Sequence, residues 1–246
     1  MAINLLQVKQ FSKLFRVALL LASGLLLTAC ISSQLFPMGV LVAPPAPTPM
    51  IRPPQIGQEW VYNVRNVFNQ EILDVVTERV IAVGDQVRIQ RSGLKAGSLP
   101  DEIQGPWGYV IQDPHWSPPQ KLMTPLPLWP EQLTVGWNQF YRSAYQVLGY
   151  PEGNYYWGLG MNATQWEFMK VPAGEFLTLQ YHNQIPFFES NDYFRISNIR
   201  QEDVWLAPQI GRWVIRRGFG RYLTRGVFWI NPYWEDYLQW ELISWK

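Results

Sequence analysis

The side chains that could carry metal, acid–base or nucleophilic chemistry are few in this sequence. It contains two histidines, His115 and His182, and a single cysteine, Cys30. A catalytic zinc ion usually needs three protein ligands, and histidines at helical spacing normally supply two of them. The two histidines are 67 residues apart, and one cysteine can form neither an internal disulfide nor a thiolate cluster. The sequence therefore predicts no metal site and no cofactor.

The two histidines also differ in their surroundings. His182 ends the alternating segment 176–182, which is typical of a hydrogen-bonded histidine in the wall of a strand. His115 lies in the segment 113–116 (DPHW), and we expect it in an exposed turn. Neither context indicates a metal ligand or a general base.

Motifs for covalent catalysis or phosphate binding are absent from the sequence. There is no G-x-S-x-G nucleophile elbow, and the segment 218–220 (GFG) lacks the third glycine and the βαβ setting of a dinucleotide site. Two of the 19 acidic residues could meet in space as they do in a glycosidase, but no motif selects a pair. A formal net charge of +1 argues against a nucleic-acid binder. We therefore expect that the protein is not an enzyme and has no catalytic residues.

The most basic part of the chain lies between residues 195 and 225, where seven arginines accompany only two acidic residues. The run 216–221 (RRGFGR) is typical of a hairpin tip with cations on both sides. Its arginines could contact anionic groups such as lipid phosphates or an acidic partner. Alternatively, they could form a solvated face that pairs with acids elsewhere in the chain.

Aromatic residues are the other candidates for a contact surface, because the chain contains 13 Trp, 12 Tyr and 12 Phe. Trp240 alternates with polar neighbours between Leu238 and Leu242, which predicts a place in a core strand. The aromatic residues around Pro232 are expected in an exposed loop. With the basic run, they give the candidate partner-binding residues Arg216, Arg217, Arg221, Arg225, Trp229, Tyr233 and Trp234.

The amino terminus resembles the signal of bacterial lipoproteins. Three cations precede the uncharged segment 17–29, which is shorter than the roughly 20 residues of a membrane span. The next residues, Leu27-Thr28-Ala29-Cys30, are similar to a lipobox. The resemblance implies that residues 1–29 are removed and that acyl chains on Cys30 anchor the protein to a lipid bilayer. Because Ile31 rather than aspartate follows the cysteine, it further implies the periplasmic face of the outer membrane.

Two segments follow the signal. Residues 30–55 contain the cysteine and six prolines between Pro44 and Pro54, a composition that predicts an extended linker. The apolar stretch 35–42 could instead pack on the domain or lie on the membrane. Residues 56–246 are numerous enough for one domain with its own core.

The domain is predicted to be mainly β. Alternation of large and polar residues predicts strands at 60–68, 72–83, 87–90, 107–112, 139–148, 164–170, 177–181, 193–206, 212–217 and 236–245. Residues 94–160 hold nine of the 20 prolines and five tryptophans, so we expect long loops and edge strands there. The predicted fold is a single curved antiparallel sheet or half-barrel with long Pro/Trp-rich loops.

The carboxy-terminal third carries a second resemblance. The segments 171–176 (VPAGEF) and 204–214 (VWLAPQIGRWV) and the last apolar strand look like the pattern of uncharacterised bacterial envelope β-proteins. In that pattern the prolines and glycines shape two turns, and no enzyme activity is implied. We expect either a lipoprotein that binds an apolar envelope molecule or a protein partner, or a structural accessory subunit of an envelope complex.

Overall fold

The computed structural model describes residues 39–115, 119–187, 198–225, 230–234 and 236–246. Within these ranges the chain is almost entirely β, with one short 3-10 helix at Pro208–Ile210 and no α-helix. In the same ranges, no helix has the length and apolar character needed to cross a membrane. The strands are β1 (Val40–Val42), β2 (Glu59–Asn66), β3 (Ile72–Val83), β4 (Val87–Gly93), β5 (Gly97–Gln104), β6 (Tyr109–Asp113), β7 (Gln120–Pro127), β8 (Asn138–Val147), β9 (Tyr150–Val171), β10 (Gly174–Phe187), β11 (Asn198–Ala207), β12 (Arg212–Arg225), β13 (Ile230–Trp234) and β14 (Leu238–Trp245).

Twelve of these strands form one closed antiparallel sheet. Its order is β9-β10-β11-β12-β14-β2-β3-β4-β5-β6-β7-β8, and β8 closes the sheet by pairing with the first half of β9. β1 pairs with the last part of β9, at Trp166–Phe168. β13 pairs with the last part of β12, beside β14. The predicted fold class, a single mainly β domain on a curved antiparallel sheet, is confirmed.

The antiparallel order gives the closed sheet two distinct ends. The turns at 84–86, 105–108, 172–173 and 208–211 lie at one end, which we call the entry end because β1 begins near it. The turns at 67–71, 94–96 and 148–149 lie at the other, which we call the distal end. β12 runs from the entry end to the distal end, and β13 returns from the distal end.

The proline-rich region 94–160 differs from the prediction of long loops. It forms the consecutive strands β5 to β8 and the beginning of β9. Pro100 lies opposite the register shift between Ile89 and Arg91, and Pro125 lies in the strand opposite the shift between Val110 and Gln112. Proline has no backbone N–H to donate. Where the register is irregular, a residue can be left unpaired, so the missing donor does not interrupt the hydrogen bonds between the strands. The sheet therefore accommodates these prolines within strands, although the sequence predicted loops there.

The turn at 208–211 lies where its sequence pattern predicts a reversal. Gly211 has a left-handed φ of 65°, and a side-chain Cβ there would lie 2.6 Å from the carbonyl oxygen of Arg52. The ring nitrogen of Trp60 donates to the carbonyl of Ile210 at 3.1 Å. Glycine is therefore required by both the backbone angle and the close approach of a neighbouring chain segment.

Part of the segment assigned to the linker packs on the sheet. β1 pairs with β9, the backbone N–H of Arg52 donates to the carbonyl of Pro208 at 2.8 Å, and Trp107 donates to the carbonyl of Arg52 at 3.0 Å. Of the two alternatives for residues 35–42, packing on the domain is thus found for Val40–Val42. Residues 35–38 and the signal segment lie outside the described residues.

Candidate functional site

The interior of the closed sheet contains a cluster of buried charges around Arg212. Arg212 and Glu78 are both 0% exposed, and Glu102 is 0% exposed as well. The guanidinium donates to Glu78 Oε2 at 2.7 and 3.1 Å and to the two oxygens of Glu102 at 2.7 and 2.9 Å. Its Cζ lies 3.7 Å from the centre of the Trp213 ring. A buried arginine with two carboxylates and an aromatic face has nearly all of its binding capacity satisfied.

Arg91 and His115 complete this cluster, which we call the Arg212 cluster. Arg91 donates to Glu78 Oε1 at 3.1 Å, and His115 Nε2 lies 3.5 Å from the same oxygen. The His115 side chain is 4% exposed and contacts the edges of Trp213 and Trp240. The expectation of an exposed turn for His115 is therefore wrong: the residue is in a turn, but its ring points into the sheet, toward buried acids.

A second group of charges, the Arg216 cluster, lies beside the first. Arg216 and Arg200 both donate to Glu202 at 2.8 Å. The carboxylate of Asp113 accepts from His115 Nδ1 at 3.0 Å when that nitrogen is protonated, and so connects the two clusters. Charges inside a sheet are tolerated only when they are paired in this way.

The pKa values of these groups are shifted in the direction that keeps them charged. Burial alone would raise the pKa of Glu78, but Arg212, His115 and Arg91 hold it well below its usual value. Burial likewise opposes ionisation of Glu202, yet Arg216 and Arg200 lower its pKa to about 2. Burial would lower the pKa of Arg212, and the two glutamates raise it instead. The interior is thus held together by permanent ion pairs at neutral pH.

Three residues of the Arg212 cluster have side chains of the types that bind metal ions. Ligand atoms of Glu78, Glu102 and His115 lie within 4.8 Å of one another. However, all four oxygens of the two carboxylates already accept hydrogen bonds from Arg212 or Arg91. A divalent cation would have to displace a fully buried guanidinium, so these residues fit a structural ion cluster better than a metal centre.

A small cavity lies against the Arg216 cluster. Its volume of about 40 Å³ is enough for about three water molecules. The walls are mainly apolar, with Trp157, Leu159 and Ile185 among them, and Asp113, Asn183, Glu202 and Arg216 supply the polar atoms. This cavity is therefore small and has both apolar and charged walls.

On the outer face, a row of exposed side chains crosses three strands near the distal end. Ile199 lies opposite Arg221, and Arg221 lies opposite Trp234. Ile199 is 57% exposed and Trp234 is 63% exposed. The Arg221 guanidinium lies 4.8 Å from the Trp234 ring centre, and among the described residues it has no ion pair. We call these three residues the Arg221–Trp234 row.

The candidate partner-binding residues divide between the two faces. The run 216–221 is not a hairpin tip, because it lies in the middle of β12. Arg216 points inward to Glu202, whereas Arg217 lies outside with its Cζ 4.5 Å from the Trp205 ring centre. A Cβ at Gly218 would lie 3.1 Å from the Glu202 side chain. The glycine thus makes room for the Arg216 cluster instead of forming a turn.

Only two of the candidates form the exposed row, Arg221 and Trp234. For Arg225 and Tyr233 the structure describes the backbone alone, at the end of β12 and in β13. Cys30 and Trp229 lie outside the described residues. For these four residues the assignments therefore stay predictions.

The buried acids of the Arg212 cluster were missed at the level of sequence. A signal exists for Glu78, which lies between Val76 and Val80 at an inward position of the predicted strand 72–83. Arg91 follows Val87 and Ile89 in the same way. A charge in the inward phase of an alternating strand indicates a buried ion pair.

Comparison with known proteins gives a likeness in fold. No family model matches the chain, and no curated protein matches it. A crystal structure from Parabacteroides distasonis ATCC 8503, described as a putative lipoprotein, matches with a TM-score of 0.52 and 11% identity, covering 80% of this chain and 99% of that one. One from Bacteroides fragilis NCTC 9343, described as a putative exported protein with YmcC-like fold, has a TM-score of 0.49, 11% identity and the same coverage of 80% and 99%. The first of these shares the closed-sheet fold.

Proposed function

We propose that this chain is a non-enzymatic, lipid-anchored protein of the bacterial envelope that docks a protein partner through the Arg221–Trp234 row. The observation that carries the proposal is the exposed pairing of Arg221 with Trp234. Tryptophan and arginine are enriched among the residues that dominate protein interfaces. Here both lie on one face of the sheet, beside the exposed Ile199.

The small size of the cavity beside the Arg216 cluster supports docking rather than transport of an apolar molecule. A cavity of about 40 Å³ cannot hold a lipid chain. The cavity wall also carries the polar groups of Asp113, Asn183, Glu202 and Arg216, to which an apolar ligand offers no hydrogen bond. We therefore favour contact through the outer surface of the closed sheet over binding of an apolar molecule inside it.

Lipid anchoring rests on the lipobox-like segment that ends at Cys30, and the outer membrane is the bilayer that Ile31 favours. The likeness in fold to a protein described as a putative lipoprotein agrees with this assignment. The anchoring experiment is membrane fractionation of the wild type and Cys30→Ala. We expect the variant to leave the outer-membrane fraction, and globomycin to cause accumulation of the uncleaved precursor. Retention of Cys30→Ala in the same fraction would contradict the anchor.

The docking experiment places a photo-crosslinking amino acid at residue 234 of the protein in cells. A discrete crosslinked species is expected at this position, and its yield should fall at least about tenfold when Arg221→Glu is added, which corresponds to about 1.4 kcal/mol or more. The matched control is a crosslinker at Met123, which is 57% exposed on β7, across the closed sheet. Equal crosslinking at residues 234 and 123, or none at 234, would refute docking by this row.

A further inference from the structure

The first strand presents apolar side chains to solvent near the entry end. Val40 and Leu41 are 66% and 68% exposed. Phe168, directly opposite Val40 on β9, is 43% exposed. Single exposed apolar residues are ordinary on protein surfaces, whereas a contiguous set is typical of a contact surface. Leu41 lies opposite Glu167, so its side chain is on the other face of the strand pair. Val40 and Phe168 share one face with the half-buried Leu177 of β10, which lies opposite Phe168. We call Val40, Phe168 and Leu177 the β1 patch.

The β1 patch lies within a short reach of Cys30. Gly39 follows Cys30 by nine residues, and a chain of that length spans at most about 30 Å when fully extended. β1 runs antiparallel to β9, so its first residue is the one nearest the entry end. A lipid on Cys30 is therefore tethered by at most about 30 Å of chain to the first residues of β1, which lie near the entry end.

We propose that the β1 patch is a lipid-contact surface that lies on the headgroup region of the bilayer in which Cys30 is anchored. The inference rests on the lipid anchor of the proposed function. A bilayer is the favoured occupant because the short anchor itself brings that surface within reach of Val40 and Phe168. Aliphatic and aromatic side chains at such a boundary gain stabilisation from partial burial among lipids.

This contact gives the molecule a direction relative to the membrane. The strands run between the entry end and the distal end, so an entry end on the bilayer directs the distal end away from it. The Arg221–Trp234 row lies near the distal end. The partner would consequently bind on the side of the protein that is farthest from the anchoring bilayer.

The test uses purified lipidated protein in vesicles of phosphatidylethanolamine and phosphatidylglycerol that carry a lipid spin-labelled near its headgroup. Cys30 is the only cysteine in the sequence, and its acylation leaves an introduced cysteine as the one free thiol. A fluorophore is attached to Val40→Cys, to Phe168→Cys or to the control Leu94→Cys, which is 80% exposed in a distal-end turn. Flotation of the vesicles reports anchoring separately.

We expect the spin-labelled lipid to quench fluorophores at 40 and 168 at least threefold more than the fluorophore at 94. If the protein floats with the vesicles while the three sites are quenched equally, or while 40 and 168 are not quenched, the lipid-contact surface is refuted and the anchor stands. If the protein does not float, the anchor itself fails. Self-quenching at 40 that persists in detergent without vesicles would assign the patch to a second copy of the chain and overturn the proposal.

Discussion

The Arg212 guanidinium and the Glu78 carboxylate form a fully buried ion pair, with Nη2 at 2.7 Å from Oε2. The two residues are 134 positions apart in the sequence. Glu78 lies on β3 and Arg212 begins β12, and β14 and β2 lie between these strands in the closed sheet. The pair therefore crosses the interior, and it connects strands that share no backbone hydrogen bonds.

Removing Arg212 should be strongly destabilising. In Arg212→Met the carboxylates of Glu78 and Glu102 would remain buried without their main partner, and breaking a buried ion pair in this way costs about 3–5 kcal/mol. Urea unfolding followed by tryptophan fluorescence measures the change in unfolding free energy. The control is Arg79→Met, because Arg79 pairs with Glu59 at the surface and is 51% exposed in its side chain; we expect a cost below about 1 kcal/mol. Similar costs for the two variants would show that the buried pair is not a main source of stability.

Acid should weaken the fold through Glu202. Its pKa is lowered to about 2 from the ordinary 4.5, because Arg216 and Arg200 outweigh the effect of burial. A lowered pKa gives stability that is present above pH 4.5 and is lost as the pH falls toward 2, and a shift of this size corresponds to about 3 kcal/mol. The slope of unfolding free energy against pH in that window should be smaller in Glu202→Gln than in the wild type. The exposed Glu175→Gln is the control, and an unchanged slope in Glu202→Gln would contradict the assignment.

Strand positions could be predicted largely from alternation, and charge partners could not. The strand 72–83 has the predicted bounds, since the phase of Val76, Glu78 and Val80 is a local property of the chain. The identity of Glu78's partner depends on the order of strands around the closed sheet, which alternation does not encode. Predicting Arg212 as the partner would have required the sheet order first.

The wrong prediction of a hairpin tip at 216–221 has a related cause. Glycine and arginine are local signals for an exposed turn, and both occur there. In the structure β11 pairs along one edge of β12, and β14 and β13 share the other edge, so the strand continues through the glycines. Pairing on both edges is a tertiary property that overrides the local signal.

Alkaline pH should weaken the contact between His182 and Asp203. His182 Nδ1 lies 3.0 Å from Asp203 Oδ1, and this hydrogen bond, which outweighs partial burial, raises the pKa of His182 above 6.5. A raised pKa gives stability that is fully present below pH 6.5 and is lost as the pH rises through the higher folded value. In Asp203→Asn the pKa of His182, measured by NMR titration, should fall. The imidazole signals of His115 identify the second histidine in the same spectra. An unchanged His182 titration in Asp203→Asn would exclude the contact in solution.

Replacing Gly211 with alanine should release the segment that precedes β2. Gly211 has a φ of 65°, and an added Cβ would lie 2.6 Å from the carbonyl of Arg52. We expect a loss of about 1–3 kcal/mol from left-handed strain together with the steric overlap. The matched control is Gly84→Ala, since a Cβ at Gly84 meets nothing within 4 Å. Hydrogen exchange of the Arg52 amide, which donates to Pro208 at 2.8 Å, should accelerate in Gly211→Ala and remain slow in Gly84→Ala. Equal exchange in the two variants would mean that residues near Arg52 are held to the sheet by contacts other than this turn.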